Sequence, residues 1–257
     1  MTGKKYFAHR GLFDNKKEYP ENTMPAFQRA IERGYGIELD VHRTKDGRLV
    51  VIHDHVLTRL CKFNSEEDDH KLLRLKTCTI EELTYKEIEE CTIYDSKERI
   101  PLFEDVLKLV SGRVPLIVEI KCEKYEEILP RQIADVLDRY TGEYCIESFH
   151  PMIVYWFRRH HPTVIRGQLA TDYKKNKINH GVFQNFLLTT MLLNIATKPD
   201  FIAYNFKYAS HPAFWFWTKI GKIPAYAWTI RSQKDLKKAE KNFQVFIFEG
   251  FEPKEEQ

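Results

Sequence analysis

Short apolar runs rich in β-branched and aromatic residues recur along the chain, separated by longer stretches of helical periodicity. That alternation predicts a parallel sheet wrapped by helices. Eight runs have strand character: 6–9, 37–41, 116–121, 144–149, 164–169, 201–205, 225–230 and 245–248. Between them, helices are predicted over 24–33, 102–110, 125–140, 152–160, 182–196, 213–220 and 233–242. Eight strands with helices between them in 257 residues match the (β/α)8 TIM barrel, which takes about 250. No Gly/Ser/Pro-rich linker breaks the chain, so residues 1–257 are expected to form one domain.

Two segments exceed this plan. The stretch 56–99 is longer than one connection requires and carries a helix-like 80–90 and an acidic run 66–69. It is expected to be an insertion over the C-terminal face of the barrel. The run 49–53 follows Lys45-Asp46-Gly47-Arg48, where Asp-Gly signals a two-residue hairpin turn. Such a turn folds the run back antiparallel on strand 2, pairs Lys45 with Arg48 and sets Asp40 opposite His53 on one face of the sheet.

Charge alters the picture locally rather than globally. Lys plus Arg number 40 against 37 Asp plus Glu, and a net charge of +3 gives no reason to expect nucleic acid. Five cysteines without a C-x-x-C pair read as reduced thiols. The N-terminus lacks the apolar core of a signal peptide, and the longest uncharged run, 181–197, is too short and too polar to span a membrane. A cytoplasmic location is expected. Helices 182–196 and 213–218 carry no Asp, Glu, Lys or Arg. They follow consecutive strands, so their surfaces should merge into one apolar patch. A homodimer packed through these helices is expected, with peripheral membrane contact, helped by Lys174, Lys175 and Lys177, as the alternative.

The candidate chemistry sits at strand ends. Glu38 and Asp40 are two apart, so their carboxylates share one face while Ile37, Leu39 and Val41 take the other. Glu119 and Lys121 repeat the pattern on strand 3. Carboxylates so crowded repel one another unless a cation neutralises them, and three oxygen ligands favour Mg²⁺ or Ca²⁺ over Zn²⁺. His9 closes strand 1, and the hairpin returns His53 to the level of Asp40. Two imidazoles beside one metal suit general acid–base cleavage of a phosphodiester, with Arg10 and Lys121 on the non-bridging oxygens. His42, His55, His70, His160, His161, His180 and His211 are assigned structural roles. The pair His53-x-His55 also raises a zinc amidohydrolase, which would need further histidines at later strand ends.

Ala8-His9-Arg10-Gly11, Pro20-Glu21-Asn22-Thr23, Glu38-Leu39-Asp40-Val41 with Thr44-Lys45-Asp46-Gly47, Val51-Ile52-His53-Asp54, Ile100-Pro101 and Val118-Glu119-Ile120-Lys121 resemble the glycerophosphodiester phosphodiesterases in order and spacing. The resemblance implies metal-dependent hydrolysis of a glycerophosphodiester to glycerol 3-phosphate and an alcohol. It gives His9 and His53 the acid and base roles, Glu38, Asp40 and Glu119 the metal, and Arg10 and Lys121 the phosphate. Glu21 and Asn22 look like the family's turn that braces the site. Later in the chain Phe149 and Trp228 match positions that approach the glycerol, while Phe246-Ile247-Phe248-Glu249-Gly250-Phe251 departs from the family's Gly-rich ending. The competing readings are a phospholipase C- or D-like enzyme acting on a lipid and a non-catalytic phosphoester-binding barrel.

Overall fold

The computed structural model describes residues 3, 5–63, 68–173, 175 and 181–254, and the chain falls into two compact units, Ala8–Glu143 and Met1–Phe7 with Tyr144–Gln257. Among the described residues, eight parallel strands with helices between them give the (β/α)8 fold that the periodicity predicts.

The unit Ala8–Glu143 contains the second half of β1 (Tyr6–His9, through which the boundary passes), α1 (Met24–Glu32), β2 (Gly36–Arg43) and β3 (Leu49–Val51). The insertion adds β4 (Cys61–Lys62), α2 (Asp69–Thr77), α3 (Tyr85–Ile88) and β5 (Thr92–Ile93), before α4 (Phe103–Val110), β6 (Leu116–Ile120) and α5 (Ile128–Leu137). Strands β2 and β6 pair in parallel, with Asp40 beside Glu119. Both are buried almost end to end. The apolar positions Ile37, Leu39 and Val41 alternate with Glu38, Asp40 and His42, so the polar set shares one face. Gly11 takes φ +81°, and a Cβ there would lie 2.8 Å from the backbone carbon of Ala26 in α1, so only glycine permits this close approach.

The hairpin folds back as expected, but its register is shifted by one residue. Val41 pairs with Val51, His42 with Val50 and Arg43 with Leu49. The Ile52 amide donates to the Asp40 carbonyl at 3.0 Å, so Ile52, not His53, lies across from Asp40. The cause is the turn. Thr44 N–H donates to the Arg48 carbonyl at 2.8 Å, leaving Lys45, Asp46 and Gly47 as a three-residue loop with Gly47 at φ +83°. Three-residue hairpins with a left-handed residue at the end are the next commonest class after two-residue turns.

The insertion has its own core. Leu57, Leu60, Cys61, Leu75, Ile80, Leu83, Ile88, Cys91 and Ile93 are buried together with Val50 and Ile52 of the hairpin. The expected helix over 80–90 is instead a 3-10 turn, Ile80–Glu82, followed by the short α3. Thr79 and Thr84 each open a capping box, with Glu82 and Glu87 reaching back, so two N-termini replace one continuous helix. Part of the acidic run 66–69 lies outside the described residues.

The other unit carries β7 (Tyr144–Ser148), α6 (Pro151–His160), β8 (Arg166–Ala170), α7 (Val182–Thr190), α8 (Asn194–Thr197), β9 (Phe201–Asn205), α9 (Pro212–Trp215), β10 (Ala225–Ile230), α10 (Gln233–Ala239) and β11 (Val245–Phe248). These five strands pair successively in parallel. The helix expected over 182–196 breaks at Met191, which takes φ +53°. That expected over 213–220 begins as α9 and continues as a π-helical turn, Phe216–Ile220. The two segments meet as predicted: Trp217 Nε1 donates to the Thr190 carbonyl at 3.1 Å. Phe183, Phe186, Leu192, Ile195, Trp215 and Phe216 are exposed there. Of the three lysines expected beside them, Lys174 and Lys177 lie outside the described residues.

Candidate active site

Strands β1, β2 and β6, the hairpin and the turn before α1 supply every residue expected to perform chemistry, and all of them belong to the unit Ala8–Glu143. Arg10 and Asn22 both sit in left-handed backbone, at φ +55° and +56°, and each delivers its side chain to a carboxylate. A non-glycine residue at positive φ costs about 1–3 kcal/mol and persists only where its surroundings demand it. Here the Asn22 amide nitrogen donates to Asp40 Oδ2 at 2.8 Å, and the Asn22 N–H donates to the Arg10 carbonyl at 2.9 Å. Arg10 gives its backbone N–H to Glu38 Oε2 at 3.1 Å and its guanidinium to Glu21 at 2.6 Å, with Nε 3.5 Å from Asp40.

Three acids are buried on one face of the β2–β6 pair. Glu38, Asp40 and Glu119 are 2%, 0% and 6% exposed. Lys121 lies between two of them, with Nζ 3.1 Å from Asp40 and 2.6 Å from Glu119. Burial would raise the Asp40 carboxyl, yet Lys121, His53, Arg10 and His9 hold it well below the usual carboxylate range. Glu119 goes the other way, pushed up by burial and by Asp40 against the pull of Lys121. Burial disfavours the Lys121 charge, but Asp40 and Glu119 raise its pKa regardless. The ammonium therefore neutralises only part of the acidic set.

Of the three acids, Glu38 and Glu119 are placed to share a divalent cation. Glu38 and Glu119 offer oxygens within 4.8 Å of one another, a separation two ligands at about 2.0–2.6 Å from one ion can span. Asp40 Oδ1 and Glu119 Oε1 touch the Lys121 charge but have no well-directed hydrogen bond among the described residues, so both keep lone pairs. Carboxylate oxygens alone suit Mg²⁺ or Ca²⁺.

His53 stands beyond the end of β3, and its Nδ1 is 2.6 Å from Asp54 Oδ1. The hydrogen bonds from His53 and Arg59 hold the Asp54 carboxyl well below its ordinary value, although burial opposes them. An ionised carboxylate only accepts, so Nδ1 carries the proton and, in the neutral ring, Nε2 carries the lone pair. His9 Nε2 lies 3.8 Å from Glu38 Oε2.

Sequence reasoning missed the residue that ties these parts together. Arg59, at the end of the 3-10 turn Leu57–Arg59 in the insertion, grips Asp54 with Nε at 2.6 Å and Nη2 at 2.9 Å. The same guanidinium grips Glu21 with Nη2 at 2.8 Å and Nη1 at 3.1 Å. Asn15 donates to Glu21 at 2.9 Å and Tyr94 lies 2.7 Å from Arg59 Nη1. Burial would raise the Glu21 carboxyl, but Arg59, Arg10 and Asn15 pull it down to about 2. Glu21, Asn22, Asp54 and Arg59 thus form one hydrogen-bonded network with Arg10, Asp40 and His53. Phe149 and Trp228 belong to the other unit, where their rings pack edge to face with centroids 5.6 Å apart.

A sequence model described as the glycerophosphoryl diester phosphodiesterase family matches residues 9–243. The chain is 36% identical over 178 residues to a glycerophosphodiester phosphodiesterase of Bacillus altitudinis, covering 65% of this chain and 67% of the relative. It is 42% identical over 119 residues to another of that name from Caldanaerobacter subterraneus, covering 44% of each. A human lysophospholipase D is 32% identical over 141 residues, covering 54% of this chain and 43% of the relative. Among solved structures, a glycerophosphodiester phosphodiesterase from Parabacteroides distasonis superposes with a TM-score of 0.72 at 23% identity, covering 96% of this chain and 94% of that one. A phosphodiesterase of Oleispira antarctica, solved with the product sn-glycerol-3-phosphate, gives a TM-score of 0.69 at 19% identity, covering 95% and 92%.

Proposed function

The chain belongs to the glycerophosphoryl diester phosphodiesterase family, and from that premise we propose that it hydrolyses glycerophosphodiesters to glycerol 3-phosphate and an alcohol. The observation that carries the reading is the meeting, in one buried strand-end site, of three carboxylates with Arg10, Lys121 and the Asp54-bound His53. Glu38, Asp40 and Glu119 would hold one Mg²⁺ or Ca²⁺. Such an ion polarises the phosphoryl oxygens. Arg10 and Lys121 bind the non-bridging oxygens and orient the diester. Of His9 and His53, one takes a proton from the attacking water and the other gives one to the departing alcohol oxygen, so a P–O bond forms as another breaks. Phe149 and Trp228 are assigned to substrate on the resemblance alone; Trp228→Ala tests this by raising KM.

Glycerophosphocholine turnover, measured with and without EDTA, tests the reading. Activity lost on chelation and restored by Mg²⁺ or Ca²⁺ supports it; full activity in EDTA removes the metal, and no turnover with metal present removes the reaction. The lysophospholipase D relative makes lysophosphatidylcholine the substrate to run alongside.

The exposed aromatic surface of α7–α9 is assigned to a second copy of this chain, since a charge-free helix pair leaves a face that water covers poorly. Light scattering checks it. A dimer at micromolar concentration that dissociates in Leu188→Glu or Trp215→Glu agrees; a monomer that instead binds anionic vesicles moves the surface to a membrane. Among the described residues no helix is long and apolar enough to cross a membrane. No disulfide joins the five cysteines, and a reducing cytoplasm is the compartment that keeps such thiols.

A further inference from the structure

A second set of ligand-type side chains lies in the same unit and takes no part in the phosphodiester chemistry above. His42 stands two residues beyond Asp40 on β2 and is wholly buried. His55 follows the hairpin, and Glu81 belongs to the 3-10 turn Ile80–Glu82 of the insertion. One ligand atom from each lies within 4.8 Å of the other two. His42 Nδ1 is 3.0 Å from Glu81 Oε1, His55 Nδ1 is 3.7 Å from the same oxygen, and the two imidazoles meet edge to face at 4.9 Å.

The protons in this group do not balance. His42 also approaches the carbonyl oxygen of His53 with Nε2, at 3.3 Å. Both of its neighbours are acceptors, and a neutral imidazole has one N–H, so one contact sets a lone pair against an oxygen. Protonating the ring would satisfy both, at the cost of a charge in a fully buried side chain. Two further buried polar atoms of the group, His55 Nδ1 and Glu81 Oε2, lack hydrogen-bond partners among the described residues, since 3.7 Å is beyond hydrogen-bond range. A cation accepts lone pairs from all three side chains at once. Two imidazole nitrogens and one carboxylate are the donors of an open zinc site, and differ from the all-oxygen set of the phosphodiester site. Glu81 also lines a cleft of about 320 Å³, together with Arg43, Thr79 and Cys122.

We propose that His42, His55 and Glu81 form a separate site for a zinc-class transition metal, which ties the insertion to β2 and the hairpin. The full-length protein, freed of metal and then held in millimolar Mg²⁺ to occupy the oxygen site, is titrated with Zn²⁺, and with Co²⁺ as a coloured substitute. One equivalent of Zn²⁺ should bind in the presence of Mg²⁺ and raise the melting temperature, and Co²⁺ should give visible absorption of a four-coordinate ion. His55→Ala and Glu81→Gln, each checked for folding by circular dichroism, should weaken Zn²⁺ binding by more than ~100-fold, beyond the ~10–100-fold that loss of a supporting partner costs. Glu38→Gln should leave it unchanged. The proposal fails if no Zn²⁺ binds under Mg²⁺, if both ligand variants bind as the parent does, or if Glu38→Gln abolishes binding.

Discussion

Two clusters of histidine and carboxylate share one unit, and they solve the problem of buried negative charge differently. At the phosphodiester site, Asp40 is surrounded by protein cations, with Lys121 at 3.1 Å and Arg10 at 3.5 Å. At the second cluster, Glu81 has the imidazoles of His42 and His55 beside it instead. The first arrangement sets permanent cations against the buried acid. The second has imidazoles, neutral unless protonated, where the first has permanent cations. Residue type alone does not distinguish the two, because both contain histidine and glutamate; the distinction lies in whether a permanent cation stands within contact distance.

Removing that cation is the largest test of the comparison. Lys121→Met leaves Asp40 and Glu119 buried side by side, and loss of one partner from a buried pair costs about 3–5 kcal/mol. Urea unfolding should show a loss of that size without metal and partial recovery on adding Mg²⁺ or Ca²⁺; a variant as stable as the parent would mean that Lys121 does not neutralise the acids. Next in size, His9→Ala and His53→Ala should each lower turnover at least ~100-fold with the melting temperature kept, as expected for loss of an acid or base. Near-normal steady-state rates in either variant would end the paired-histidine mechanism.

The smallest effect concerns pH. Glu21 has its pKa lowered from 4.5 to about 2, so it contributes stability that is complete above its unfolded value and is lost as pH falls from 4.5 towards 2. Asp40 acts in the same direction. Glu119, whose pKa is raised, contributes in the opposite sense: its share is present at low pH and lost as pH rises through its folded value. Melting temperatures recorded between pH 6 and pH 2 should therefore fall, and Arg59→Ala should flatten the decline by freeing Glu21 to titrate nearer its ordinary value. An unchanged slope in that variant would remove Arg59 from the account.

Strand positions were the most legible part of the sequence. The bounds of β1, β9, β10 and β11 follow from apolar runs that end in polar or turn residues, and the i, i+2 spacing of Glu38 and Asp40 places both on the buried face. Register was not legible, because Asp46-Gly47 fits a two- or a three-residue turn and only the Thr44–Arg48 pairing decides between them. The break in α7 has no Gly or Pro to announce it; Met191 adopts the left-handed conformation itself. Arg59 escaped because its partners Glu21 and Asp54 reach it through the fold of the insertion. His42 and His55 look solitary along the chain for a related reason: a hairpin and the turn bearing Glu81 are needed to gather them.

The double grip of Arg59 bears on how this chain can be recombined with its relatives. An insertion between two barrel strands looks like a cassette, to be trimmed or exchanged in order to alter what the enzyme accepts. Here one guanidinium from the cassette holds Glu21 of the scaffold and the carboxylate that orients His53. A chimaera that replaces the segment must therefore bring an arginine to the same point, or it leaves Glu21 to Arg10 and Asn15, Asp54 to His53 alone, and the imidazole less firmly held. The insertion and the placement of His53 are in this sense co-inherited, and the unit of exchange is the insertion together with the loops carrying Glu21 and His53.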